Sequence, residues 1–427
     1  MNNAYFGVAT IALIALGVTP ILLPIPVNKL NYPNSKRSDH VDTYFGVTVP
    51  DPYRWLEDEN APETKTWVEE QNKLTFGYLE KIPYRQKIKS RLEQLIDYPR
   101  YGAPFRNGGH FFFTKNDGLQ NQSVLYMQKG LEGTAEVLID PNKFSNDGTS
   151  QLAEFALSKD GKYIAYGISS GGSDWREVHV MEVATRKVLD DVLRWVKVSG
   201  LAWQGNGFYY SRYNAPKEGN ELTSQNDDHK VYYHRVGAPQ SEDELVYSDP
   251  ANPQRFHTVE TTEDERFAIL YIEDRGKGKR GDAIFVRDAH KNDKSWRPVI
   301  PDVTNDEYHV VDNVADEFLI KTNKDAPNWK LVLVDLNSPQ EKAWKSVLPE
   351  KTEPPCVALS LSRSPCVLPP RRGRQPHRPR NPGNGCHSWS RRRRWLSGTR
   401  STARSTGSPA TAASRSSPTS TMGPGGR

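Results

Sequence analysis

The first 355 residues contain no cysteine; Cys356, Cys366 and Cys386 all lie near the carboxyl end. No disulfide framework supports the body. The cysteine spacings also miss the C-x-x-C arrangement that sets two thiolates on one zinc ion, so no structural metal is expected and no cofactor is implied. A long uninterrupted apolar run is lacking too. The apolar core within Phe6–Val27 is broken by Pro20, Pro24 and Pro26, short of the roughly 20 residues a membrane span needs. That excludes a stable membrane span and fits a signal-peptide h-region, so a periplasmic or secreted address is expected. Against it, Met1-Asn2-Asn3-Ala4 has no basic residue and no clean Ala-x-Ala site follows.

A third absence divides the chain. From Pro354 to Arg427 there is no Lys, Asp or Glu, but there are 14 Arg, four of them consecutive at Arg391–Arg394. The remainder holds 43 basic and 52 acidic residues, a net of −9, so the overall +5 hides an acidic body. Such a tail could neutralise phosphates. Its Arg, Pro, Ser, Gly and Ala bias, with lysine and acids vanishing together, is better explained by a shifted reading frame in a GC-rich gene. No nucleic-acid partner is expected.

What is present begins with two helices. Asn60-Ala61-Pro62-Glu63 reads as a helix start with Asn60 as N-cap and Glu63 at the capping-box position. Trp67, Val68, Leu74, Tyr78, Leu79 and Ile82 follow at roughly helical spacing until Pro83. In a second helix Ile88, Leu92, Leu95 and Ile96 fall at i, i+4, i+7 and i+8. Both helices need an apolar partner for one face.

From about residue 105 the pattern becomes short apolar runs between Gly, Asn and Asp. Five pairs stand out: Phe111-Phe113 with Val124-Met127, Tyr163-Ile168 with Val178-Val183, Phe208-Tyr210 with Val231-Tyr233, Phe267-Ile272 with Ala283-Val286, and Phe318-Ile320 with Leu331-Val334. The first runs begin 52, 45, 59 and 51 residues apart, a period in the range of propeller blades. The runs are nearly continuous in apolar residues, which predicts strands buried on both faces. Radially stacked blades produce that pattern. A β-sandwich, with one wet face per sheet, would alternate more clearly.

Nucleophilic hydrolysis needs a serine on a tight turn, a histidine base and an orienting carboxylate. Gly167-Ile168-Ser169-Ser170-Gly171 spells G-x-S-x-G, but between two strand-like runs instead of at a strand-to-helix elbow, so it reads as a hairpin loop. His40, His110, His179, His229, His234, His257, His290 and His309 form no H-E-x-x-H pair and read as surface or strand histidines. Gly276-Lys277-Gly278-Lys279-Arg280-Gly281 lacks the order of a phosphate loop.

Asp51-Pro52-Tyr53-Arg54-Trp55-Leu56-Glu57-Asp58 closely resembles a signature of the prolyl oligopeptidase (prolyl endopeptidase) family of serine peptidases. Tyr44-Phe45-Gly46, Trp67-Val68-Glu69-Glu70-Gln71-Asn72, Gly172-Ser173-Asp174-Trp175 and Gln240-Ser241-Glu242-Asp243 extend the match across about Tyr32 to Glu353. The resemblance implies a seven-bladed β-propeller capping an α/β-hydrolase domain that cleaves short peptides after proline, with the amino-terminal helices packed on the hydrolase. It also implies substrate-side positions. Phe256 falls where the family places a large apolar side chain, Val198 where it often places an aromatic one, and Gly276 where it places a small pocket-lining residue. The family's nucleophile motif Gly-Gly-Ser-x-Gly-Gly is nowhere in these 427 residues, so no catalytic residue is assigned.

The expected organisation is a leader at 1–28, a helical segment of the hydrolase part at 29–100, an incomplete seven-bladed propeller at 101–353 and a basic tail at 354–427. The fold class is mainly β. Two functions are expected in parallel. One is the propeller part of a proline-specific serine endopeptidase, acting in the full-length family on proline-containing short peptides, and inactive as written unless a separate hydrolase half exists. The other is a non-catalytic propeller that binds peptides or a partner.

Overall fold

The structure, a computed structural model, describes residues 30–217, 219, 221, 224–274, 278–291 and 294–352. The leader, the tail and Gly276 lie outside the described residues. Strands β1 (Val41–Tyr44) and β2 (Val47–Pro50) form a hairpin that leads into the 51–58 signature. There Arg54 gathers three carboxylates: Asp42, Asp51 at 3.1 Å and Glu57 at 2.8 Å. Trp55 Nε1 donates to the Lys36 carbonyl at 3.0 Å, and the buried Thr64 hydroxyl donates to the Trp55 carbonyl at 3.1 Å. The signature is thus a polar knot that fixes the start of the first helix.

Helix α1 (Pro62–Glu80) begins one residue later than the sequence suggested. Ala61 is the N-cap, with no side-chain capping bond. Asp58 instead accepts the amides of Asn60 and Ala61, at 3.0 and 3.1 Å, and Glu63 pairs with Lys36 at 2.9 Å instead of closing a capping box. Helix α2 (Arg85–Ile96) follows. Neither buries its apolar stripe: Phe76, Tyr78, Ile88, Leu92 and Leu95 are about half exposed. No helix among the described residues is long and apolar enough to cross a membrane.

The rest is five antiparallel blades. Blade 1 contains β3 (Arg100–Tyr101), β4 (Phe105–Asn107), β5 (His110–Asn116), β6 (Val124–Lys129) and β7 (Ala135–Ile139), with both β3 and β4 pairing with β5. Blade 2 is β8 (Gln151–Leu157), β9 (Tyr163–Ser169), β10 (Arg176–Glu182) and β11 (Val188–Val196). Blade 3 is β12 (Ala202–Gln204), β13 (Gly207–Arg212), β14 (Lys230–Arg235) and β15 (Glu244–Tyr247). Blade 4 is β16 (Arg255–Thr261), β17 (Phe267–Asp274), β18 (Asp282–Asp288) and β19 (Arg297–Ile300). Blade 5 is β20 (Tyr308–Val314), β21 (Glu317–Thr322), β22 (Lys330–Asp335) and β23 (Lys345–Leu348). All five run pairs of the sequence are the hairpins of these sheets. Blades 2 and 3 fuse into one sheet through a single pair, Val196 with Arg212.

The unbroken apolar runs follow from packing on both faces. In β17, Phe267, Ile269 and Tyr271 enter the core shared with blade 5, while Ala268, Leu270 and Ile272 enter the core shared with blade 3. In β9, Ile164 and Tyr166 face blade 1, and Ala165 faces blade 3. Four such cores join the five blades in order. A fully buried large apolar side chain contributes about 1.5–3 kcal/mol, so these seams carry most of the stability. Polar turns recur with the blades. Ser158 donates to Asp160 at 2.6 Å as Thr262 does to Asp264, and each hydroxyl accepts the amide of the next strand's first residue, Tyr163 or Phe267.

Candidate functional site

Antiparallel meanders place alternate connections at the same end of every blade. One end therefore collects segments 170–175, 197–201, 213–217, 224–229 and 248–254. Aromatic rings from these segments form a continuous belt across blades 2, 3 and 4. Trp175 meets Trp195 edge-on at 5.6 Å and Tyr213 at 6.1 Å. Tyr213 meets His229 at 4.7 Å, and His229 meets Phe256 edge-on at 5.7 Å. His257 continues the belt to Tyr247 at 5.1 Å. Trp195, Val198 and Asp228 all have left-handed backbone, with φ of 61°, 51° and 61°. For a tryptophan and a β-branched residue that conformation is unfavourable and persists only where surrounding structure imposes it.

Charge lies along the same belt. Lys197 Nζ sits 4.9 Å from the Trp175 ring centre and 3.7 Å from Asp174. Arg176 pairs with Glu154 at 2.9 Å and donates to the Ser199 carbonyl at 3.2 Å. Burial pushes the Glu154 carboxyl above its ordinary pKa, and Arg176 opposes that shift. A small cavity of about 80 Å³ lies between Asp228, His229, Lys230, Ser248, Asp249 and Pro250. It holds no more than a few waters, far below the ~300–1,000 Å³ of a substrate pocket. The belt forms the rim of this end; within it Tyr213, His229 and His257 are buried, and Trp175, Trp195 and Phe256 are partly exposed.

Two of the three sequence-derived positions meet here. Phe256, second residue of β16, is half-buried against His229; His229 Nε2 bonds the carbonyl of Lys197, the neighbour of Val198, at 3.0 Å. His229 thus bridges the segments of Val198 and Phe256. Gly276 falls outside the described residues. The G-x-S-x-G sequence lies at the β9–β10 hairpin. Ser169 is buried and its hydroxyl donates to the Ser173 carbonyl, with no histidine as partner. Among the described residues no group of His, Cys, Asp or Glu is placed to hold a metal. Sequence reasoning missed Trp195, Tyr213 and His229. Their contacts join loops of different blades, and no local period signals them.

Blade stacking, with an aromatic belt along one end and exposed leading helices, defines the class: a β-propeller domain. Residues 33–368 match the family model described as prolyl oligopeptidase, N-terminal beta-propeller domain, and the chain belongs to the prolyl oligopeptidase family. It is 42% identical over 328 residues to a prolyl endopeptidase of Elizabethkingia meningoseptica, covering 77% of this chain and 46% of the relative. It is 35% identical over 357 residues to prolyl oligopeptidase A of Amanita bisporigera, covering 75% and 46%. Among solved structures, prolyl oligopeptidase B of Galerina marginata, bound to a 35mer hydrolysis and macrocyclization substrate, superposes with a TM-score of 0.62 at 31% identity. That match covers 75% of this chain and 48% of the other. A structure from a study of two prolyl endopeptidases gives a TM-score of 0.64 at 30% identity, covering 75% and 47%. The chain spans about half the length of the relatives it matches.

Proposed function

We propose that this chain is the propeller side of a serine peptidase that cleaves short peptides after proline, with the catalytic serine, aspartate and histidine supplied by a hydrolase half outside these 427 residues. The observation that supports this most is the belt that brings Phe256 beside the segment of Val198 through His229. In this reading Phe256, Val198 and Gly276 line the substrate side, and the half-exposed stripes of α1 and α2 receive the hydrolase half. The leader directs the protein to the periplasm or outside the cell. The segment from 354 is the product of a frameshift, which the DNA around the codon for Pro354 tests directly.

The decisive experiment is reconstitution with a separately expressed hydrolase half from a relative, assayed on a chromogenic Gly-Pro substrate. The chain alone is expected to be inactive, since the acyl-transfer transition state has no nucleophile or oxyanion hole. The mixture is expected to cleave, and Phe256→Ala to raise KM with a smaller effect on kcat. An unchanged KM would remove Phe256 from the substrate side. The partly exposed rings of Trp175, Trp195 and Phe256 support a second reading, a peptide-binding module without catalysis. Binding of a proline peptide by the chain alone, with no gain on adding the hydrolase half, would favour it.

A further inference from the structure

At the opposite end of blades 2 and 3 lies a group that the rim does not use. His234, near the end of β14, is wholly buried. Its Nδ1 is 2.7 Å from Asp243 Oδ1 and its Nε2 is 2.9 Å from Asp191 Oδ1. Both carboxylates are buried as well. Asp191 comes from β11 of blade 2 and Asp243 from the turn before β15 of blade 3. We propose that Asp191, His234 and Asp243 form a proton-held latch across the seam of blades 2 and 3, closed in acidic and neutral solution and released in alkaline solution.

The argument is one of donor count. A neutral imidazole has a single N–H, so one of its nitrogens would face a carboxylate with lone pair against lone pair. Only the imidazolium donates to both. The proton belongs on the ring, because an ordinary imidazolium is a weaker acid than a carboxylic acid by more than two pH units. Both carboxylates also accept from a second donor. Gly237 N–H donates to Asp191 Oδ1 at 2.6 Å, and the Tyr210 hydroxyl donates to Asp243 Oδ2 at 2.7 Å. The other groups around the site are the Phe208 ring from β13, 5.4 Å from the imidazole, and Gln240, whose amide donates to Tyr210 Oη at 3.1 Å. Arg212 acts on Tyr210 and not on the ring; burial and Asp243 hold that phenol protonated.

Burial works against the charged imidazole, but the bonds to Asp243 and Asp191 outweigh it and hold its pKa above the ordinary value. The sign follows. The stabilisation is complete below the unfolded-state value near 6.5 and is lost as pH rises through the folded-state value. After loss of the proton one of the two carboxylates stays buried opposite a lone pair, and where the remaining N–H sits on Nδ1 that carboxylate is Asp191, so the ring no longer ties β11 to β14. The latch works beside the other ties of this seam: the strand pair Val196 with Arg212, two bonds of about 3.1 Å between the Gln240 amide and the backbone of Arg194, the Trp203 indole bond to the Ala156 carbonyl at 3.0 Å, and the apolar core around Leu193, Val196, Trp203 and Phe208.

The test uses the full chain and mass spectrometry of its peptides. Exchange of the imidazole Cε1 hydrogen reports His234 titration, and amide exchange in β11 and β14 reports the seam. We expect His234 to titrate above the ordinary histidine range. Amide exchange at the seam, corrected for base catalysis, should rise between about pH 6.5 and that point, by up to about tenfold per pH unit, the slope of one linked proton, and level off above it. Asp191→Asn should move both curves to lower pH. Should that variant fail to fold, the wild-type curves decide alone. Titration of His234 at or below the ordinary value, or seam exchange that is flat from pH 6 to 10, overturns the latch.

Discussion

His229 and His257 hold each other by the backbone. The His257 amide donates to His229 Nδ1 at 2.9 Å, and His257 Nδ1 donates to the His229 carbonyl at 2.7 Å. The first bond makes His229 Nδ1 an acceptor, so its Nε2 carries the proton and donates to the Lys197 carbonyl. The second assigns the His257 proton to Nδ1. One reciprocal pair thus sets two tautomers and ties blade 3 to blade 4 within the belt.

Acid should loosen this pair. Burial first, and Arg255 in addition, hold the pKa of His257 below the ordinary value. Its contribution is therefore present above about pH 6.5 and is lost as pH falls, at up to about 1.4 kcal/mol per pH unit. Thermal unfolding between pH 7.5 and 5 checks this. His257→Asn, whose amide can still donate to the His229 carbonyl, should flatten the dependence.

Core and surface substitutions should differ sharply. Phe267 is fully buried and meets Phe318 edge-on at 5.2 Å across the seam of blades 4 and 5. Phe267→Ala should cost about 3–5 kcal/mol. Leu131→Ala, at a residue 76% exposed in a blade 1 turn, should stay within about 0.5 kcal/mol. Denaturant midpoints at constant m-value separate the two.

The helical stripe should govern solubility more than stability. Leu92 and Leu95 are 53% and 51% exposed on α2, and a contiguous apolar patch of this kind drives association. The purified chain is expected to aggregate or to bind chaperones. Leu92→Glu with Leu95→Lys should reduce the aggregated fraction on size exclusion while leaving the unfolding midpoint nearly unchanged. A monomeric parent chain would refute the expectation.

Ser169→Ala should be silent in catalysis. The Ser169 hydroxyl only closes the hairpin onto the Ser173 carbonyl, so its removal should cost about 1 kcal/mol of stability. Any Gly-Pro hydrolysis by the chain, with or without a hydrolase half, should survive the substitution. Loss of turnover in a folded variant would make the G-x-S-x-G sequence a true nucleophile motif.

The hairpins were legible because central strands such as β9 and β17 are apolar towards both neighbours. Outer strands were not. In β15 and β23, Glu244, Leu245, Lys345, Ser346 and Val347 are exposed, and four-residue segments of that kind read as loops. Strand β8 was hidden by Glu154, a charged residue buried at a bulge because Arg176 reaches it from β10. Asn60 looked like a helix cap, but the N-cap is Ala61, without a side-chain capping bond, and Asp58 only orders the turn before it. At the rim, Phe256 was reached only through family resemblance. The latch was invisible, since its carboxylates lie 43 positions before and 9 after His234.

Each of the four seam cores joins one blade to the next and to no other. Thermodynamically the array is a row of nearest-neighbour couplings, like a one-dimensional lattice. An interior blade is held by two couplings and a terminal blade by one, so melting should start at blades 1 and 5 and travel inward. Blade 3 shares a sheet with blade 2 as well as a core with blade 4, so it should melt last. Closing such a row into a ring removes the ends without strengthening any contact, and turns a fraying lattice into a cooperative one.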